Sequence, residues 1–254
     1  MMLLAVIPGI VLFILVWRSD KIEKEPAKLL WKLFGLGALT IISAIVIGKG
    51  GELIFSFMNP EGMLYVFIDN MLLTALVEEG GKYFVLKKTT WKHPAFDHTF
   101  DAVVYAVTVS LGFATLENMI YLIDEGIGIG IMRALMSVPG HAMYGVFMGC
   151  YYGMAKKAEA GGDVKLIKSN LTKALLIPTV LHGFYDFCIG EVQYDIFLLF
   201  LLIFEIVLTV VAVKKLKKLS REDTAIQPDL QPVQVSQQDA GPVQQVKQDL
   251  TDKQ

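Results

Sequence analysis

The stretch LYVFIDNMLLTALVEEGGKYFVL, residues 64–86, decides how this chain folds. It is long enough to cross a bilayer core about 30 Å thick as one helix, which takes roughly 20 mostly apolar residues. Four charged residues interrupt it: Asp69, Glu78, Glu79 and Lys82. Ionisable groups at membrane depth cost at least about 2.5 kcal/mol each to insert. The stretch therefore predicts a membrane helix whose charged residues have a function.

The rest of the chain repeats this apolar pattern. Of 254 residues, 54% are hydrophobic and 19% are charged, which is too apolar for an ordinary soluble protein. Seven blocks of span length are separated by short polar connections: 2–17, 29–48, 64–86, 101–122, 131–155, 171–190 and 194–213. We predict an all-α, polytopic membrane bundle of about seven transmembrane helices, formed by residues 1–213. The first block lacks a preceding Lys or Arg and a following A-x-A-like site, so we interpret it as a retained helix rather than a signal peptide.

The basic residues of the connections predict the topology. The first, third and fifth connections and the start of the tail are rich in Lys and Arg, whereas the second holds only Lys49 and the sixth none. Because positive residues stay on the cytoplasmic side, we expect the N-terminus outside and the C-terminus inside the cell membrane. Residues 214–254 contain nine Gln and no aromatic residue, which is typical of a disordered cytoplasmic tail.

Composition also excludes some functions. A net charge of −2 leaves no basic excess to bind a phosphate backbone, so nucleic acid is not an expected partner. Cys150 and Cys188 are far apart in apolar runs, so they predict neither a disulfide framework nor a CxxC metal or redox site.

The informative residues are the polar ones inside the spans. His141 lies about 15 Å from the outer end of its span, His182 about 15 Å from the inner end of its own, and Glu78 about 12 Å from the cytoplasmic end of its span. We therefore expect these three side chains to meet in one layer near the midplane. Pro139 and Pro178 precede the two histidines, which predicts helix kinks beside them.

Helical spacing suggests partners for these groups. Glu78 and Lys82 are four residues apart, so they can form an ion pair that merely lowers the insertion cost. Glu79 has no positive residue at i+4, and we expect it to find a proton, a metal or another helix. Two further pairs stand four residues apart on one helical face each: His182 with Asp186, and Glu117 with Tyr121. The aspartate can fix the tautomer of the histidine, and the tyrosine can orient the glutamate.

Four motifs in this order resemble those of PrsW-type intramembrane proteases. They are EEGGK at 78–82, FATLENMIY at 113–121, PGHA at 139–142 and HGFYD at 182–186, and the motif-bearing core covers about 64–190. More distantly, the double Glu followed by two separate histidines is similar to the CAAX prenyl protease and bacteriocin-immunity superfamily. Here Lys82 stands where an Arg one residue later is common, and Asp186 stands where Asn is common.

The resemblance implies a site-1 protease that cleaves a single-pass, membrane-anchored anti-sigma factor in a stress response. The residues fit such hydrolysis. Glu78 is the candidate general base that activates water, with Glu79 orienting it or balancing its charge. His141 and His182 either stabilise the oxyanion or bind zinc together with Glu117. The supporting residues are Lys82, Glu117, Asn118, Tyr121 and Asp186.

The sequence leaves three alternatives open. No HExxH motif is present, so a metal-free glutamate mechanism stands beside a zinc mechanism. A proton-coupled channel or carrier would also place Glu and His at the midplane, although neither matching broken helices nor repeated halves are visible. A membrane scaffold of the same fold without activity is the third alternative.

Overall fold

A computed structural model describes residues 2–55, 57–59, 62–191 and 194–226 of the chain. The described residues form helices and short connections, with one isolated β-bridge between His98 and Ala225. The elements in chain order are α1 Met2–Ser19, α2 Ala27–Ile54, α3 Met63–Ile68, a π-helical segment Asp69–Ala75, α4 Leu76–Thr90, α5 Asp101–Asp124, α6 Ile127–Leu135, α7 Ser137–Ala160, α8 Val164–Gly190 and α9 Asp195–Arg221.

The predicted all-α bundle is confirmed, because each of the seven predicted spans falls on helical structure. Two spans are subdivided. The third runs through α3, the π-helical segment and α4, and the fifth begins in the short helix α6 and continues in α7. Pro139 lies in the first turn of α7, three residues after the break at Met136 that separates α6 from α7, and Pro178 lies inside α8. Helix α9 continues to Arg221 instead of ending at 213, and residues 227–254 of the predicted tail lie outside the described residues.

The distribution of polarity is the reverse of that in a soluble protein. Large apolar side chains on α1, α2 and α9 are exposed, whereas the acids and imidazoles of the inner helices are buried. Within the described residues, three helices are long and apolar enough to cross a membrane by length and composition alone: Ala27–Ile54, Asp101–Asp124 and Asp195–Arg221. Exposed apolar faces around a polar interior fit a helix bundle that lipid surrounds.

Helix α5 is the centre of the bundle, and small residues let α7 approach its backbone. Gly145, Gly149 and Gly153 recur every four residues along one face of α7. A Cβ at Gly149 would lie 2.6 Å from the carbonyl oxygen of Ala102 on α5, and one at Gly153 would lie 2.6 Å from that of Thr99. Such small-residue faces allow close helix packing without a hydrophobic driving force. This contact places α7, which carries His141, directly against α5, which carries Glu117.

The four basic segments lie together at one end of the bundle, as the alternating charge pattern requires. Hydrogen bonds join them: Ser220 to the carbonyl of Ser19, the Thr99 amide to the carbonyl of Thr224, and Trp91 to Glu159. The side of the membrane that this end faces stays a prediction.

Candidate active site

The π-helical segment and the start of α4 bring the two glutamates against α8. A Cβ at Gly183 of α8 would lie 2.3 Å from Sδ of Met71 and 3.3 Å from Cβ of Ala75. Only glycine permits this close approach of α8 to the π-helical segment. The approach sets the neighbouring His182 beside Glu79, one helical turn past the segment. Single π-helical turns inside α-helices are frequent at functional sites.

Glu79 contacts two buried basic side chains, those of Lys82 and His182. Its Oε1 lies 2.9 Å from Nζ of Lys82 and 3.0 Å from Nδ1 of His182, and none of these side chains is appreciably exposed. The expected contact of Glu79 with another helix is present through His182 of α8. Lys82 at i+3, which the sequence reasoning did not assign to Glu79, is a second positive partner on its own helix. Glu79 connects α4 to α8, and its Oε2 has no hydrogen-bond partner among the described residues.

Glu78 lies on the other side of the same lysine. Its Oε2 is 3.3 Å from Nζ of Lys82 and 3.9 Å from Nε2 of His182. The ammonium also lies 3.1 Å from Nδ1 of His141 and 3.8 Å from the centre of the Phe113 ring. The predicted Glu78–Lys82 ion pair is present, but it is one contact of a group drawn from α4, α5, α7 and α8.

The second histidine is held by α5 instead of α4. Nε2 of His141 lies 3.0 Å from Oε2 of Glu117, and Nη2 of Arg133 lies 2.5 Å from the same oxygen. Arg133 belongs to α6, and its guanidinium lies 3.8 Å above the ring of Tyr121. Tyr121 thus contacts the arginine, and no hydrogen bond to Glu117 occurs in the part of the chain that the structure describes.

Aromatic contacts fix the two imidazoles relative to each other. Their ring centres are 4.9 Å apart and their planes are nearly perpendicular, at 84°. Tyr144 stacks on His182 at 5.0 Å, and Phe113 contacts the edge of His141 at 5.4 Å. Sequence reasoning missed Arg133, Phe113 and Tyr144 as members of the site. Two signals were available: Arg133 is a charged residue inside a predicted span, and Tyr144 follows His141 by three residues on the same helical face.

A cavity of about 410 Å³ reaches this group from one end of the bundle. Glu78, Phe113 and Glu117 line its inner part, and residues at the C-terminal ends of α2 and α5 line its mouth: Lys49, Glu52, Asp124 and Glu125. The mouth lies at the end of the bundle opposite the basic connections. Two acids of the site therefore face this cavity, whereas the two histidines are not among its lining residues.

The structure also shows where the remaining predicted residues lie. Oδ2 of Asp186 is 3.0 Å from Nε2 of His182, as the i, i+4 spacing predicts. Asn118 is buried, and its amide has no hydrogen-bond partner within the described residues. It lies one residue past Glu117, and neither histidine hydrogen-bonds to it in the described part of the chain, so the structure gives it no role in the site.

The donor atoms fit a metal ion, although with a different carboxylate from the one expected. Glu78, His141 and His182 each offer one atom, and the three atoms lie within 4.8 Å of one another. Glu117, the carboxylate predicted as a ligand, instead holds the outer nitrogen of His141, and Glu79 holds one nitrogen of His182. Two histidines plus one carboxylate, with each imidazole held by a further carboxylate, is the pattern of catalytic zinc sites.

Comparisons with known proteins agree with this geometry. A profile of the PrsW family intramembrane metalloproteases matches residues 25–213. The Protease PrsW of Oceanobacillus iheyensis is 36% identical over 86% of this chain and 95% of its own length. The Protease PrsW of Bacillus subtilis is 34% identical over 83% and 91%, and that of Clostridioides difficile is 32% identical over 85% and 90%. No solved structure matches the chain.

Proposed function

Because the chain belongs to the PrsW family of intramembrane metalloproteases and is a membrane peptidase, we propose that it makes the first cut in a single-pass anti-sigma factor. We place this reaction in the cell membrane, in a multi-pass protein with its N-terminus outside. The observation that carries the proposal is the convergence of Glu78, His141 and His182 from three helices. A proton carrier would not require that three metal-type donors share one point, and the relatives named Protease PrsW favour hydrolysis.

The cavity supports a cut near the outer face of the membrane. Its mouth lies at the end that carries the second and fourth connections, which the charge pattern places outside. Glu117 lies seven residues, or about 10 Å, from Asp124 at this mouth. A substrate segment that unwinds at the mouth would bring a peptide bond to Glu78 and Glu117 together with water.

Glu78 is the residue that acts on water in this proposal. Of the carboxylates near the histidines, Glu78 both lines the cavity and lies among the metal-type donors. Its carboxylate accepts a proton from water as the water attacks the carbonyl carbon, and then delivers that proton to the leaving amine. Glu79 does not line the cavity and is fully buried, so it acts as a positioning residue that holds His182 and balances Lys82.

The histidines face the oxygen that becomes negative in the transition state. Glu117 holds Nε2 of His141 and Glu79 holds Nδ1 of His182. The other nitrogen of His141 lies 3.1 Å from Lys82 and that of His182 lies 3.0 Å from Asp186, so an imidazole nitrogen reaches the reacting groups only when one of these two partners is displaced. A divalent ion such as zinc, when held by Glu78, His141 and His182, supplies Lewis-acid polarisation of the carbonyl and a more acidic water. A carboxylate has two oxygens, so Glu78 can hold an ion with one and accept a proton at the other.

The test is cleavage of a single-pass anti-sigma factor by the full chain in proteoliposomes. Glu78→Gln removes the proton acceptor at nearly constant volume, and we expect it to lower the cleavage rate at least a hundredfold. The matched control is Glu205→Gln, which changes a carboxylate on α9 outside the site. Wild-type cleavage by the Glu78→Gln protein, with helix content unchanged, contradicts the proposal.

A chelator titration separates the two mechanisms. If the ion takes part, a chelator stops cleavage and added zinc restores it. If cleavage continues after exhaustive chelation and no metal is detected in the protein, the metal mechanism is excluded and the metal-free glutamate mechanism is supported.

A further inference from the structure

A second group of carboxylates lies at the opposite end of the bundle from the cavity mouth. Asp20 and Glu25 belong to the connection between α1 and α2, and Asp101 is the first residue of α5. Their exposed fractions are 2%, 5% and 1%. Each offers one oxygen, and the three oxygens lie within 4.8 Å of one another. Along α5, Asp101 is about 24 Å from Glu117, so this group is separate from the active site.

Neighbouring groups hold two of these carboxylates in position. Oδ2 of Asp101 accepts hydrogen bonds from the backbone amides of Asp97 and His98, at 3.1 and 2.7 Å. The hydroxyl of Tyr105, one turn along α5, donates to Oε2 of Glu25. The two acids are therefore fixed by the start of α5 and by the connection before it.

Glu25 and Asp101 also hydrogen-bond to each other, but two oxygens of the group lack the partners that buried carboxylates require. Oδ2 of Asp20 and Oε1 of Glu25 are buried and have no hydrogen-bond partner in the described ranges. A buried, unpaired carboxylate costs several kcal/mol unless a cation or a proton compensates it. Accordingly, burial raises the pKa of Glu25 to about 7 and raises that of Asp20 above its ordinary value.

No side chain supplies the missing positive charge. None of the Lys, Arg and His residues that the structure describes forms an ion pair with Asp20, Glu25 or Asp101. The ammonium of Lys24 binds backbone carbonyls, including that of Trp17 at 2.6 Å. The imidazole of His98 pairs with Asp97 at 2.8 Å. Two further acids, Glu23 and Asp223, add to the negative charge nearby.

We propose that Asp20, Glu25 and Asp101 form a binding site for a hard divalent cation, Ca²⁺ or Mg²⁺. Carboxylate oxygens without nitrogen or sulfur donors are the ligands that these ions prefer. Two oxygens on opposite sides of a bound Ca²⁺ are about 5 Å apart, so the observed spacing allows one ion to contact all three. The cation site does not depend on the proposed peptidase reaction or on its candidate zinc ligands.

The ion would connect three segments of the chain at this end of the bundle. It would tie the α1–α2 connection to the first turn of α5. The same turn is joined to the segment after α9, because Oδ1 of Asp223 accepts hydrogen bonds from the hydroxyl of Thr99 and the amide of Phe100. Bound metal should therefore stabilise the folded protein, in particular this end of the bundle.

The test is ion binding by the full-length protein in detergent micelles, measured by equilibrium dialysis with Ca²⁺ or Mg²⁺ and by thermal unfolding. We expect one ion for each chain, bound with a higher Tm than in EDTA. Asp20→Asn and Glu25→Gln should each weaken binding at least tenfold and remove the Tm increase. The matched control is Glu23→Gln in the same connection, whose side chain is 52% exposed; it should bind as the wild type does.

The outcomes are distinguishable. The Glu78→Gln substitution changes only the distant active site. An ion that this variant still binds is therefore assigned to the site formed by Asp20, Glu25 and Asp101. If neither ion binds at millimolar concentration while the protein is folded in EDTA, protons alone neutralise the group and the proposal is overturned. Binding that persists unchanged in both Asp20→Asn and Glu25→Gln overturns it as well.

Discussion

Nδ1 of His182 lies 3.0 Å from Oε1 of Glu79, although 103 residues separate them in the chain. This contact joins α8 to α4 and, together with Asp186 at 3.0 Å from Nε2, fixes the orientation of the imidazole. The neighbouring Lys82 contacts the same carboxylate oxygen at 2.9 Å. The geometry of the site therefore depends on Glu79, even though this side chain does not face the cavity.

Glu79→Gln should separate positioning from catalysis. The amide keeps the size of the side chain but loses the charge that holds His182 and Lys82. We expect zinc affinity to fall about 10-fold to 100-fold, as for other carboxylates that orient metal-binding histidines. We also expect kcat to fall more than KM rises. Equilibrium zinc binding and proteoliposome kinetics measure the two effects, and unchanged zinc affinity would show that Glu79 does not orient a ligand.

Lys82→Met should destabilise the protein in the absence of metal. The ammonium lies among the buried donors and balances Glu78 and Glu79. Removing one partner of a buried ion pair costs about 3–5 kcal/mol. Because a bound cation can replace the lost charge, zinc should recover part of this stability and bind more tightly than to the wild type. Thermal unfolding with and without zinc tests this, with the exposed Lys88→Met as control; a variant that binds zinc more weakly would refute the prediction.

Arg133→Lys should lower activity without unfolding the protein. Arg133 contacts Glu117 at 2.5 Å while its planar group stacks on Tyr121, and lysine keeps the charge but cannot stack in this way. Since Glu117 holds His141, we expect kcat to fall about tenfold, which corresponds to about 1.4 kcal/mol. Cleavage kinetics in proteoliposomes are the measurement. A rate equal to the wild type would mean that α6 does not support the site.

Gly183→Ala should disturb the contact between α8 and the π-helical segment. The added methyl group would meet Met71 at 2.3 Å, so either the side chain or the helix must move. Overpacking of this kind costs about 1–3 kcal/mol. We expect a lower Tm and slower cleavage, with partial recovery on adding Met71→Ala. Gly35→Ala is the matched control, since a Cβ there meets nothing within 4 Å; equal effects of the two substitutions would argue against a specific contact.

Much of the fold was predictable because lipid imposes a strict pattern on the chain. A span must be apolar and about 20 residues long, so the seven blocks follow from composition. The same rule makes Glu78, Glu79, His141 and His182 conspicuous, because charged groups are costly there. The sequence could not show that α3 and α4 are separated by a π-helical segment, since no residue type marks that change.

The partners of the site residues were harder to predict because they depend on distances between helices. Spacing indicated the contact of His182 with Asp186, which lie on one helix. It could not show that Glu78 rather than Glu117 shares a point with the two histidines, because that depends on how α4, α5 and α7 are rotated. The carboxylates at the opposite end escaped notice for a similar reason: Asp20 and Glu25 come from a connection that looks solvated in sequence.

The most direct test of the proposed centre is whether Glu78 and His182 act as one unit. The cleavage rate of a single-pass substrate in proteoliposomes is measured for Glu78→Gln, His182→Ala and the double variant. Groups that serve the same step give non-additive losses, so we predict that the double variant is no slower than the slower single variant. Losses that multiply in the double variant, or a single variant that cleaves at the wild-type rate, would contradict a common hydrolytic centre.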